Sequence, residues 1–234
     1  KEEKFTMKLK KIASLMLVGV MAVSMLAGCS TASNGNNNGE GEGENGGTTT
    51  GYSVTFGEKL SSDVKNKDYV SFADNAADQA ALADALNNVG ALKTLIATAN
   101  DEITYLNGGD VVGVVEDFTD SAKLTRYGFN NGAGNVFNNK NTLNRTTKVG
   151  SIYYVDGSVS MDKVLNQIAN KLDSYFKKLA ETGEIKDSDG NQVTYDFDYT
   201  ISVSVVNKTS DVIDWYNGST NVVAVTVTRT ATAD

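Results

Sequence analysis

An α+β fold is predicted by two observations, a pair of strictly alternating segments near the C-terminus and the helical stripes that precede them. Val193, Tyr195, Phe197, Tyr199, Ile201, Val203 and Val205 alternate with Asp196, Asp198, Thr200, Ser202 and Ser204, and Val223, Val225 and Val227 repeat the pattern against Thr226 and Thr228. One apolar side and one polar side mark strands of an antiparallel sheet buried on a single face. Amphipathic helices are the natural cover, so the expectation is a two-layer α+β domain with a mainly antiparallel sheet and helices over one face.

In chain order, Tyr52-Ser-Val-Thr-Phe56 alternates and reads as a first strand. Asp74 to Leu106 carries two helical stripes, Ala77, Ala81, Leu82, Leu86 and Val89, then Leu92, Leu95, Ile96, Ala99, Ile103 and Leu106. Gly90 is expected to divide or kink this stretch, and Asn107-Gly108-Gly109 to end it. Asp110 to Phe118 and Lys123 to Phe129 read as strands joined by a turn over Glu116 to Ser121. Asn130 to Thr147, rich in Asn and Gly, reads as a long loop, and Lys148 to Val155 as a strand. Ser160 is placed to cap a helix running to about Thr182, with Met161, Val164, Leu165, Ile168, Leu172, Tyr175, Phe176 and Leu179 on its apolar stripe and Gly183 as its stop.

Composition acts by exclusion. Histidine is absent and cysteine occurs once, at Cys29. That removes Ser-His-Asp and Cys-His nucleophile systems, histidine-bearing zinc sites, haem ligation and iron–sulfur clusters. Lysines and glutamates balance before Tyr52, so the net charge of −8 falls on the stretch that follows. Such a surface has no general affinity for nucleic acid and is repelled by anionic polymers and lipid headgroups.

The N-terminal third has a different character. Lys8, Lys10 and Lys11 precede an apolar run from Ile12 to Leu26, and Leu26-Ala27-Gly28-Cys29 closes it with small residues before the cysteine. The run is shorter than the ~20 residues a spanning helix needs. A basic start, a short apolar core and a small-residue cleavage site make a secretory signal. The segment from Met7 to Ser30 resembles the lipobox signal peptide of bacterial lipoproteins. The resemblance implies removal of residues 7–28 and acylation of Cys29, palmitate included, which would hold the protein at the outer face of the cell membrane. Acyl chains in pairs anchor stably where a single chain is marginal. Residues 1–6 precede the first methionine, and Lys1-Glu-Glu-Lys4 is what a purine-rich ribosome-binding site would encode, so they are expected to lie upstream of the true start at Met7. Residues 29–51, dominated by Asn, Gly, Thr and Glu, hold no large apolar side chain and read as a solvated tether. Residues 52–234 are left as a single extracellular domain.

Candidate sites are few. Asp187, Asp189 and Asn191, with Asp196 and Asp198 further on, offer hard oxygen ligands at alternating positions, which suits weak calcium binding. The opening Asp-x-Asp-Gly-Asn is similar to the start of an EF-hand loop, but Gln192 stands where that loop needs glycine and Asp198 where it needs a bidentate glutamate. A β-hairpin turned at Asp189-Gly190-Asn191 explains the same residues. Glu116, Asp117 and Asp120 supply carboxylates of the kind glycosidases pair, or simply solubilise a turn. Trp215 and Tyr216, before Asn217-Gly218, can stack on a sugar, anchor a partner or close the core beneath a hairpin. The Asn-rich loop, with Arg126, Lys140 and Arg145 nearby, is a further candidate for polar recognition.

The expected function is therefore a non-catalytic, lipid-anchored surface protein that presents an acidic domain to an envelope or extracellular ligand, without a required cofactor. Two alternatives stand beside it: an extracellular hydrolase acting on polysaccharide through carboxylates, and a structural or assembly component of the envelope. The hydrolase requires a buried acidic pair in a cleft. The structural role requires an apolar patch or open strand edge, with Tyr52 to Phe56 or Val222 to Thr232 as candidates.

Overall fold

The computed structural model describes residues 51–107, 111–129, 137, 142–186, 189–209 and 218–234. The elements run α1 (Tyr52–Lys59), α2 (Ser62–Lys65), β1 (Val70–Phe72), α3 (Ala76–Ala85), α4 (Val89–Thr98), β2 (Thr104–Tyr105), α5 (Val112–Ser121), β3 (Arg126–Tyr127), β4 (Thr147–Asp156), α6 (Met161–Phe176), β5 (Thr182–Lys186), β6 (Gln192–Thr209) and β7 (Ser219–Ala233). The strands form one mixed sheet in the order β1-β6-β7-β4-β2, with β5 also on β6 and β3 also on β4. Only β1 and β3 pair in parallel; β6, β7 and β4 form an antiparallel centre. The fold is α+β, as the alternation predicts.

The first face of the sheet is the one the pattern exposes to view. Register places Ile201 opposite Val227 and Val203 opposite Val225, with Val149 beyond Val227. Phe197, Tyr199, Val155 and Tyr153 join them in one buried cluster with Val164, Leu165, Ile168, Leu172 and Phe176 of α6 and Phe56 of α1. The Phe56 and Phe176 rings meet edge to face with centroids 6.2 Å apart. Each such aliphatic or aromatic side chain contributes roughly 1.5–3 kcal/mol by leaving water.

The opposite face carries a second helical layer that alternation alone does not reveal. Ile152, Val222 and Ala224 pack with Ala81, Leu82 and Ala85 of α3, Leu95 of α4 and Val114, Val115 and Phe118 of α5. The polar positions Ser202, Ser204 and Thr226 are buried there too. Helices therefore cover both faces.

Several local expectations are corrected. Tyr52 to Phe56 is helical, because Ser53, Phe56 and Gly57 point inward together at helical spacing; five residues cannot separate period two from period 3.6. Of the strand expected from Asp110 to Phe118, Asp110 lies outside the described residues and the stretch from Val112 on belongs to α5. Val111, Val114, Val115 and Phe118 are buried at i, i+3, i+4 and i+7, so tertiary packing overrides the strand preference of the valines. The turn expected over Glu116 to Ser121 is thus the second half of that helix. It ends in a Schellman arrangement: Lys123 takes a left-handed φ of 58° and the Leu124 N–H donates to the Thr119 carbonyl at 2.9 Å. Only Arg126–Tyr127 of the expected Lys123 to Phe129 strand is extended.

The stretch from Asp74 to Leu106 breaks at Asn88 rather than Gly90. The Asn88 side chain accepts from the N–H groups of Gly90 and Ala91, as Asn75 does from Ala77 and Asp78. Thr104–Tyr105 at its end is a strand. Helix α6 stops at Phe176, and Ser160 holds its N-cap position without a side-chain bond. Gly183 lies inside β5, where a Cβ would meet the Phe197 ring at 2.7 Å. It permits close packing rather than ending a helix.

Side chains complete β6 and β4 where the short flanking strands leave gaps. Past the end of β1, the β6 edge is satisfied by Ser53, whose Oγ accepts from Val203 N–H at 2.8 Å, and by Gln79, which donates to and accepts from Val205. On β4, the Tyr127 hydroxyl accepts from Ile152 N–H at 3.1 Å and donates to the Leu106 carbonyl, filling the gap between β2 and β3. Buried backbone groups need such partners, and an open edge invites pairing with other chains.

Candidate functional site

Cys29, Asp187, Trp215 and Tyr216 lie outside the described residues, as do most of the Asn-rich loop and Lys140. The remaining candidate cation ligands are spread along a hairpin. Lys186 pairs with Gln192, and Gly190 takes a φ of +84° in the turn between them, the conformation glycine adopts without strain. Asp189 and Asn191 sit in that turn. Asp196 is paired with Thr182 and Thr232, and Asp198 with Thr230. At ~3.3 Å per residue, Asp196 stands roughly 13 Å and Asp198 roughly 20 Å along the strand from Gln192. Oxygens sharing one calcium lie within ~2.3–2.6 Å of it, so the turn and the two strand aspartates do not converge. Among the described residues, no group of three or more acidic, histidine or cysteine side chains is gathered for a metal.

The acids expected in a connection occupy a helix instead. Glu116, Asp117 and Asp120 all lie on the exposed side of α5. Among the described residues, the fully buried acid is Asp78 of α3. Its carboxylate accepts from the Lys148 ammonium and, through its other oxygen, from the Thr226 hydroxyl at 2.7 Å, while Lys148 also donates to the Ala122 carbonyl. This network ties α3 to β4 and β7. It is an ion pair in the second layer, not two carboxylates facing a cleft.

Arg229 is the other buried charge, and its surroundings are unusual. It is 0% exposed on the apolar face. Its guanidinium donates to the carbonyls of Phe137, Thr142 and Arg145 and to the Thr147 hydroxyl, and lies 4.5 Å from the centroid of the Phe197 ring. Carbonyl dipoles and ring faces thus replace water around the cation. Burial lowers the Arg229 pKa, with the Tyr199 hydroxyl pulling the other way. The residues it grips, with buried Phe137 and Leu143, fix the described ends of the Asn-rich segment to the core.

A third feature went unread in the sequence. Tyr105 of β2 lies opposite Tyr153 of β4, and its ring stacks on Tyr127 with centroids 5.8 Å apart and planes 27° apart. Tyr153 packs on it at 5.8 Å. Tyr127 and Tyr153 each belong to one of the two apolar clusters, but Tyr105 belongs to neither and is 38% exposed. Burial raises the pKa of all three hydroxyls above the ordinary value. On the opposite face of β4 the Tyr154 and Thr98 hydroxyls lie 3.1 Å apart. The three rings make a fixed, uncharged aromatic surface at a sheet edge. Its parts are scattered over three strands, and no spacing in the chain joins them.

The chain matches no family model, no curated protein and no solved structure. The geometry is left to speak for itself. No helix among the described residues is long and apolar enough to cross a membrane. Of the two candidates for an open strand edge, Tyr52 to Phe56 is helical, and Val222 to Thr232 is flanked by both β4 and β6 as far as Arg229, with Thr230 to Thr232 paired to β6 alone. Among the described residues, the exposed large apolar side chains Tyr52, Val54 and Tyr105 sit on α1 and β2.

Proposed function

We propose that the chain is a lipid-anchored protein of the bacterial cell surface whose acidic α+β domain binds a ligand without transforming it. The observation that carries this reading is Leu26-Ala27-Gly28-Cys29 behind a basic start and a short apolar run. Acylation of Cys29 supplies the membrane attachment that a net charge of −8 opposes. Residues 30–51 then act as a solvated spacer.

Binding is preferred to hydrolysis because, among the described residues, the buried acid, Asp78, is committed to Lys148 and Thr226, and the acids of α5 face outward separately. A polysaccharide hydrolase needs two carboxyl groups about 5–9.5 Å apart across a substrate. Binding is preferred to a scaffolding role because Ser53, Gln79 and Tyr127 fill the parts of β6 and β4 that their neighbouring strands leave uncovered.

The test is labelled-palmitate incorporation and detergent-phase partition of the full chain in a bacterial host, beside Cys29→Ser. Label and detergent partition are expected for the native chain, and both should vanish in the variant. Retention of either without Cys29 would refute the anchor.

A further inference from the structure

We infer that two copies of this chain pair through the outer edge of β5, antiparallel about a two-fold axis at Ile185. Such pairing goes beyond ligand binding and is independent of it. Strand β5 is held by β6 on one side, and no described strand lies on the other. Its bonding pattern fixes what the free side offers. The Phe197 N–H donates to the Glu181 carbonyl at 2.8 Å, and opposed residues that bond in this way recur at every second position of an antiparallel ladder. Gly183 and Ile185 therefore turn their backbone groups toward Tyr195 and Val193 of β6. The N–H and carbonyl groups of Thr182, Glu184 and Lys186 point outward instead. Outward groups of this kind are the template on which another strand pairs.

The side chains name the occupant. Thr182, Glu184 and Lys186 are exposed on one face of β5, while Ile185 packs against the apolar cluster on the other. With the axis at Ile185, Glu184 of each copy stands opposite Lys186 of the other, in the positions whose backbones bond across the join. Symmetry then supplies two ion pairs at once. Gln192 donates to one carboxylate oxygen of Glu184 from β6 and leaves the other for that lysine. Ile185 meets Ile185 of the second copy and continues the apolar face. Centring the axis on Glu184 or on Lys186 sets like charges face to face, which disfavours those registers. A protective edge carries charges that repel a copy of itself, whereas the alternation of Glu184 and Lys186 attracts one. Five residues of edge bury less than the ~800 Å² per partner of a stable interface, so the dimer forms reversibly with concentration.

Sedimentation equilibrium of the full chain, in a polyoxyethylene detergent with micelles in excess, reads the pairing across a concentration series. A reversible dimer is expected. Glu184→Lys and Lys186→Glu each convert both cross-strand pairs to like charges, and each should weaken the dimer about tenfold. Mixed in equal amounts, the two variants should regain the native association, because every lysine of one then faces a glutamate of the other. Glu184→Pro removes an outward N–H without touching a bond to β6, and should weaken the dimer as much. Circular dichroism melts verify that each variant is folded. A native chain that stays monomeric up to about 1 mM overturns the inference and leaves the anchor untouched. A dimer that the charge reversals leave intact, or whose loss the mixture of folded variants fails to repair, also overturns it, because the contact then lies elsewhere.

Discussion

The two faces of the sheet are buried to similar depth by different chemistry. One is lined by Ile201, Val203, Val223, Val225 and Val227 and closed by α6 and α1. The other buries Ser202, Ser204 and Thr226 beneath α3, α4 and α5, with the Asp78–Lys148 pair at its centre. The apolar face is driven together by removal of hydrocarbon from water, a nondirectional force that leaves a period-two record in the sequence. The polar face depends on directed bonds between residues far apart in the chain, as between Asp78 and Thr226. Such a face reads as wet until its partners are seen.

The difference can be broken open by mutation. Asp78→Ala should be the most damaging change, costing about 3–5 kcal/mol, because it strands the Lys148 ammonium beneath α3 without its carboxylate. Replacing both members, as Asp78→Leu with Lys148→Met, should recover most of that loss. Urea denaturation of the single and double variants measures both. On the apolar face, Ile168→Ala should cost about 2–5 kcal/mol through lost burial and the cavity left behind, and no second charge removal should rescue it.

Alkaline pH probes the aromatic residues without mutation. Burial raises the pKa of Tyr127, Tyr153, Tyr175 and Tyr199 above 10. The unfolded chain ionises its tyrosines near pH 10, so above that pH it binds fewer protons than the folded chain, and stability must fall as pH rises. Below pH 10 this contribution is intact. Tyrosinate absorbance should therefore develop in two phases, the later one coincident with loss of ellipticity. Early, complete ionisation of a folded chain would contradict the burial. The smallest effect is expected at Tyr105→Ala, about 0.5–1.5 kcal/mol in the same urea assay, because that part-exposed ring touches only Tyr127 and Tyr153 at the edge of the sheet.

Legibility in the sequence follows the same division. The strands β6 and β7 and the stripe of α6 were plain, since long periodic segments record which face is apolar. Helices α1 and α5 were misread. In α1 the window was five residues, and in α5 the clustered valines argued for a strand although their i, i+3, i+4 spacing was present. The hairpin turn at Asp189-Gly190-Asn191 is legible from its residue types, and strand spacing separates it from Asp196 and Asp198. Arg229 and the three tyrosines were missed because their meaning lies in what register and loop closure bring to them. An arginine in a strand that otherwise alternates valines was the one available hint.

The central claim is that the domain binds without catalysing. Incubating the full chain with calcium, cell-wall fragments, oligosaccharides and short peptides, and following its melting midpoint together with the appearance of new reducing ends, tests that claim most directly. A ligand at ~100 times its dissociation constant adds about 2.7 kcal/mol and should raise the midpoint by a few degrees. The account predicts such a rise with no new reducing ends. Accumulating reducing ends, or an unchanged midpoint across the whole set, would contradict it.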